Sequence, residues 1–306
     1  MFTYLKSICS SIWQAVVNPT IRLQGEFPWT FGKMTKEYFK ATGLYILGVV
    51  LYILGRYQEA LAATEEAVAL RRALVADNPA AHQTDLAMAL GNLGVDLGRL
   101  GRHQDALAFT KEAIALYRAL AADNPAAHQA NLAAQLANLG VDLGQLVRKQ
   151  DALAATEEAV TLYRALAAGN PAAHQTDLAT ALINLGADLG RQGQYQDALA
   201  IAEEAVTLYR ALAADNPAAH QANLATALNN LGVDLDGLDR HSEGLQMRTE
   251  AVAVYRELAA RDPELYQAAY RERLGALRRE YEQRGLRYEA ITHHLKAPQP
   301  AGETEP

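Results

Sequence analysis

Residues 78–123 read NPAAHQTDLAMALGNLGVDLGRLGRHQDALAFTKEAIALYRALAAD, and the fold follows from this stretch. Asn78-Pro79 suits the start of a helix: Asn can cap orphan backbone N–H groups, and Pro at the first helical position gives up an N–H that has no partner there. Leu86, Leu90, Leu93, Leu97 and Leu100 follow at steps of four and three, one apolar stripe along one helix face. Gly101-Arg102 ends the stripe. A second helix is expected from about Gln104 to Ala122, with Ala106, Leu107, Ala113, Ile114, Tyr117 and Leu120 turned inward. A turn this short makes the two helices antiparallel neighbours.

The stretch recurs. Asn78-Pro79 returns as Asn124-Pro125, Asn170-Pro171 and Asn216-Pro217, then as Asp262-Pro263, each 46 residues after the last. Neither helix of a unit can bury its stripe alone, so the units must stack on one another. The expected fold is all-α, a right-handed solenoid of antiparallel helix pairs. Five full units span residues 35–263, and a degenerate, arginine-rich sixth, suited to capping the array, spans 264–296. In that sixth unit Gly285, Tyr288, Glu289, Ala290 and Ile291 keep step with the turn and second helix of earlier units. Residues 297–306, APQPAGETEP, are expected to be a disordered tail.

Composition narrows the function. The 306 residues are half apolar and carry a formal charge of −7. Both signs are interspersed, and no basic patch suits nucleic acid. Cys9 is the one cysteine, so no intrachain disulfide or thiolate metal cluster can form, and a cytoplasmic location is expected. The longest apolar run, Leu44 to Leu54, falls far short of the roughly 20 residues a membrane span needs. No phosphate-binding loop, nucleophile elbow or HExxH motif is present, and the paired carboxylates repeat with the scaffold instead of marking one site. No enzyme and no cofactor is expected.

The repeat resembles the tetratricopeptide family. Its motif asks for a large residue, then Leu-Gly, then a large residue three further on; here these are Leu90, Leu93-Gly94 and Leu97. It asks for small residues where the helices cross, and Ala106 and Ala113 stand there, as do Ala152 and Ala159, and Ala198 and Ala205. The usual repeat has about 34 residues, so both helices here are longer. In that respect the chain is similar to kinesin light chains and to bacterial and fungal multi-repeat regulators.

The resemblance implies a protein-binding scaffold whose first helices line a concave groove. The polar face opposite the leucines would then be the binding surface: Asn92, Asp96 and Arg99, then Asn138 and Asp142, then Asn184, Asp188 and Arg191, then Asn230 and Asp234. An asparagine amide both donates and accepts, so a ladder of four can pair with a peptide backbone without reading its sequence. The other reading has the asparagines and aspartates bonding to each other or to the next repeat and fixing the stack. The aspartates would either favour a ligand of basic character or form a solvated helix face. The carboxylate clamp of chaperone-binding relatives is not expected, because its groove positions hold Met88, Gly91 and Val95, then Ala134, Ala137 and Val141. The partner is expected to be a protein or an extended peptide segment, with neither nucleic acid nor membrane.

Other ladders read as architecture. Zinc needs ligands within about 2 Å of one point, whereas stacked helices hold equivalent residues roughly 10 Å apart. His82, His128, His174 and His220 are therefore expected to pack or cap, as are Tyr117, Tyr163, Tyr209 and Tyr255. Glu157-Glu158 and Glu203-Glu204 read as ordinary exposed faces.

Residues 1–34 lie outside the repeat. Phe2, Leu5, Cys9, Ile12 and Val16 could share one face of a short helix. The first helix of the first unit is apolar nearly all round, with Ile46 and Val50 where later units put Asn and Asp. It needs cover on more than one side. That cover is either the N-terminal segment acting as a cap, or a second chain, another domain or a membrane surface. Assembly, or regulation of a partner domain, through this first repeat is the alternative to groove binding.

Overall fold

The computed structural model describes residues 36–286. Among them are eleven α-helices: α1 Lys36–Ile53, α2 Tyr57–Asp77, α3 Pro79–Arg99, α4 His103–Asp123, α5 Pro125–Gln145, α6 Lys149–Gly169, α7 Pro171–Arg191, α8 Tyr195–Asp215, α9 Pro217–Gly237, α10 His241–Arg261 and α11 Pro263–Gln283. The N-terminal cap, the second helix of the sixth unit, His293-His294 and the tail all fall outside the described residues. Contacts divide the chain within α6 into two compact units, Met1–Leu162 and Tyr163–Pro306.

Each expected helix start is made as the sequence implies. The Asn78 side chain accepts the Ala81 N–H at 3.4 Å, and Asn124, Asn170 and Asn216 accept the equivalent N–H groups at 3.3 Å. Asp262 does the same for Leu265 at 3.1 Å. Between the two helices of each described pair, one residue takes the left-handed conformation. It is glycine at Gly55, Gly101 and Gly193, but Val147 (φ 59°) and Asp239 (φ 61°) in the third and fifth pairs; Gly285, after α11, takes it too. A β-branched side chain is strained in that region.

In the first unit α1 packs on α2, α2 on α3, α3 on α4 and α4 on α5; in the second, α7 to α11 follow the same scheme. The core is the anticipated one. Leu86, Leu90, Leu93 and Leu97 of α3 are buried, together with Ala106, Leu107, Ala113, Ile114 and Tyr117 of α4. The motif glycines of the first three pairs leave no room for a side chain. A Cβ built on Gly48, Gly94 or Gly140 would lie about 2.4–2.5 Å from a side-chain atom of Thr64, Thr110 or Thr156, sixteen residues later.

The glutamate pairs are more than exposed faces. Arg72 reaches Glu112, and Arg118 reaches Glu158 at 2.7 Å, from one second helix to the next. In the second unit Arg164–Glu204 and Arg210–Glu250 repeat the bridge. Every pair spans 40 residues and so links neighbouring repeats.

The second unit ends differently. In α11 only Leu277 is fully buried; it packs with Leu274, Tyr270 and Tyr281 against Leu245 and Val252. A charge network substitutes for missing apolar surface. Arg248 of α10 donates to Asp236 at 2.6 Å and to Glu280 of α11, and Arg284 bridges the same two carboxylates. Burial alone would raise the Asp236 carboxyl, but hydrogen bonds from His241 and Arg248, the Arg248 charge and a bond from Arg284 hold it below its ordinary value.

Candidate functional site

The first helices α3 and α5 carry the predicted polar face in the first unit. Asn92 and Asn138 are half-buried on it. Asn92 lines a cavity of about 150 Å³ with Gly48, Val49, Val95 and Asp96. Asn138 lines a second cavity, of about 400 Å³, with Gly94, Gly98, Arg99, Val141 and Asp142. The two are the same place in consecutive repeats, since Gly48, Val49, Asn92 and Asp96 become Gly94, Val95, Asn138 and Asp142 on adding 46. In the second unit Asn184 of α7 and Asn230 of α9 are half-buried too. Among the described residues, no hydrogen bond joins the side chain of any of these four asparagines to another residue.

The aspartates are not on an open face, and here the sequence-based expectation needs correction. Asp96, Asp142, Asp188 and Asp234 are only 3–5% exposed. Standing two residues after the motif glycine, they point into the stack. Asp96 meets Thr64 of α2 at 2.8 Å, and Asp142 meets the Nδ1 atom of His103 in α4 at 2.8 Å. Burial raises both carboxyls, and the Thr64 and His103 hydrogen bonds offset this in part. Asp188 pairs with Arg191 three residues on. The Asp234 side chain has no partner among the described residues: its Oδ2 is buried without a hydrogen bond, and burial pushes the carboxyl up to about 7. A ladder of carboxylates selecting a basic ligand is therefore not what the face presents.

The two arginines differ in kind. Arg191 is taken up by Asp188. Arg99 has the same spacing from Asp96 but does not pair with it. Its Nε donates to the Tyr52 hydroxyl at 2.8 Å, and its guanidinium lies over the Tyr52 ring at 5.8 Å. The side chain is exposed at the rim of the larger cavity.

A family model described as tetratricopeptide repeat matches residues 39–119 and 177–257, more than half of the chain. The chain belongs to the tetratricopeptide repeat family. Its array is similar in fold to several solved structures. BtubC (BKLC) from P. vanneervenii shares 15% identity and a TM-score of 0.58 over 85% of this chain and 91% of that one. A putative kinesin light chain from Podosopora anserina with nearly identical TPR-like repeats shares 15% identity and a TM-score of 0.54 over 72% and 97%. Aspartyl phosphate phosphatase F from Bacillus subtilis shares 12% identity and a TM-score of 0.56, over 85% of this chain and 63% of that one. Comparison with curated proteins returns no match. The fold class is accordingly an α-solenoid of paired helices with a long tetratricopeptide repeat.

Within this tetratricopeptide array two rungs of the histidine and tyrosine ladders sit beside each other. The Tyr117 and His128 ring centroids are 6.5 Å apart, as are those of Tyr209 and His220. No cluster of three metal-ligating side chains occurs among the described residues. No described helix is long and apolar enough to cross a membrane.

Two site features escaped the sequence reading. Tyr52, which supports Arg99, sits where the other repeats have Gly98, Gly144, Gly190 and Asp236, a break in the repeat that was open to inspection. His103 stands at a position that varies, the other repeats having Tyr57, Lys149, Tyr195 and His241. The partner of His103, Asp142, lies 39 residues away on a different helix, and nothing in a single repeat signals that contact.

Proposed function

We propose that this protein is a non-enzymatic scaffold that binds extended peptide segments of a partner protein along the first helices of each compact unit, through the amides of Asn92 and Asn138 in one and of Asn184 and Asn230 in the other. The observation that carries the reading is the contrast between the two ladders. The aspartates point into the stack, three of the four being bound to neighbouring side chains, whereas the asparagines sit half-buried with their amides unused. A stack-fixing role would have them bonded to neighbours. An unused amide beside a cavity has a donor and an acceptor to offer a passing peptide group. Membership of the tetratricopeptide family supports a protein-interaction role in general.

The test is a pull-down from native extract with the wild type and the Asn92/Asn138/Asn184/Asn230→Ala variant, matched for helicity by circular dichroism. A partner held only by the wild type supports groove binding. Identical partners on both would move the function elsewhere on the array.

One observation favours the alternative, association through the first repeat. Phe39 is 57% exposed and Ile53 74% exposed on or beside α1, with Ile46 and Leu54 also open. If that surface binds a second copy, Phe39→Ser should convert a dimer to a monomer in sedimentation. A wild type that is already monomeric at micromolar concentration speaks against it.

A further inference from the structure

The aspartates do not set the charge preference of the first unit; Arg99 does. Asp96 is engaged by Thr64 and Asp142 by His103, both buried. Arg99 makes no ion pair among the described residues, and its Nε is held by Tyr52, so the two terminal amino groups are left for a ligand at the mouth of the 400 Å³ cavity. A guanidinium tethered through Nε and backed by an aromatic ring is pre-oriented, and its free edge matches a carboxylate. Asn138 stands in the same cavity with its amide unused. The neighbouring cavity, one repeat back, has no cation; it is walled by Gly48, Val49, Tyr52 and Val95, with Asn92, Thr64 and the engaged Asp96 at its polar side. Its volume of about 150 Å³ suits a compact aliphatic group, a benzene-sized one being the upper limit for such a space.

The two cavities lie on successive first helices, and helices packed this way are about 8–10 Å apart. An extended chain advances about 3.3 Å per residue, so three residues cover that step.

We propose, building on the groove reading above, that the first unit selects an extended peptide carrying an aspartate or glutamate at Arg99 and a small aliphatic side chain three positions away. The carboxylate takes the free edge of Arg99. The aliphatic group fills the space between Gly48, Val49 and Val95. Asn92 and Asn138 hold the intervening peptide groups.

The test is selection of a phage-displayed random octapeptide library on the immobilised full chain. The expected result is at least about fivefold enrichment of Asp plus Glu at one position, with Ala or Val enriched three positions away. Arg99→Gln should abolish the acidic enrichment, while Arg118→Gln, on the second-helix face, should keep it. Peptides retained without acidic preference, or with the same preference on Arg99→Gln, overturn this proposal and leave the groove reading standing. Retention on the wild type no greater than on the Asn92/Asn138/Asn184/Asn230→Ala variant overturns both.

Discussion

Thr64 Oγ1 lies 2.8 Å from Asp96 Oδ2 and 2.9 Å from the Ala60 carbonyl oxygen. The hydroxyl has one proton and two acceptors in reach. The hydroxyl donates to Asp96 and shares that proton with the Ala60 carbonyl oxygen, and its bond to the carboxylate offsets in part the rise that burial causes. The equivalent relationship in the second unit is broken, because Ala202 stands where Thr64 stands and Asp234 is left unpartnered. Gly186 is still glycine, and a Cβ on it would meet nothing nearer than 3.7 Å, so room for the lost hydroxyl is present. Ala202→Thr should therefore stabilise the protein by about 1 kcal/mol, the worth of one buried hydrogen bond. A rise in the urea midpoint checks it.

Asp234 also makes stability depend on pH in a definite direction. Its carboxyl titrates at about 7 in the folded chain and near 4 in the unfolded one. Between those values the folded state binds more protons, so its contribution is complete below about pH 4 and is lost as pH rises through about 7. Asp96 and Asp142, also raised, act in the same sense, whereas Asp236, lowered, loses its contribution as pH falls. Asp234→Asn should be more stable than the wild type by about 1 kcal/mol at pH 8. The gap should close toward pH 5, which urea titrations at both values will show.

The glycine–threonine contacts predict opposite outcomes for one substitution at two sites. Gly94→Ala would put a methyl group 2.4 Å from Thr110 Oγ1 and should cost about 1–3 kcal/mol. The Gly94→Ala/Thr110→Ala double variant should recover much of that. Gly186→Ala meets only ordinary contacts, Ile201 at 3.7 Å and the Ala198 carbonyl oxygen at 3.9 Å. It should gain about 0.5–1 kcal/mol from helix propensity. Thermal midpoints of the three variants decide the matter.

Val147 occupies the turn position that is glycine in three other described helix pairs, with φ at 59°. Val147→Gly should stabilise the first unit by about 1 kcal/mol, the left-handed penalty relieved less the entropy that glycine adds to the unfolded chain. Because Val147 is 72% exposed, almost no packing is lost. Slower hydrogen exchange in α5 and α6 is the readout.

Much of this molecule is legible in one repeat. The Asn-Pro starts, the leucine stripe and the alanines at the crossing give α3 and α4 to within a residue or two, because local capping and 3.6-residue periodicity dictate them. What single-repeat reading misplaces is direction. Asn92 and Asp96 share a helix face by spacing and line one cavity, yet Asn92 is only half-buried while Asp96 is buried against Thr64. The four-residue step rotates the helix by about 40°, and only the position of the preceding repeat decides which of the two is covered. Contacts at separations of 32, 39 and 40 residues (Thr64–Asp96, His103–Asp142, Arg118–Glu158) carry no local signature.

The central claim is that the groove asparagines hold a peptide backbone, and their own side chains report on it most directly. In protein labelled with ¹⁵N at asparagine, the side-chain amide resonances of Asn92, Asn138, Asn184 and Asn230 should shift on adding the peptide segment of a captured partner. Those of the helix caps Asn78, Asn124, Asn170 and Asn216, already engaged with backbone N–H groups, should stay in place. Saturating peptide that leaves all four groove resonances unmoved would contradict the account.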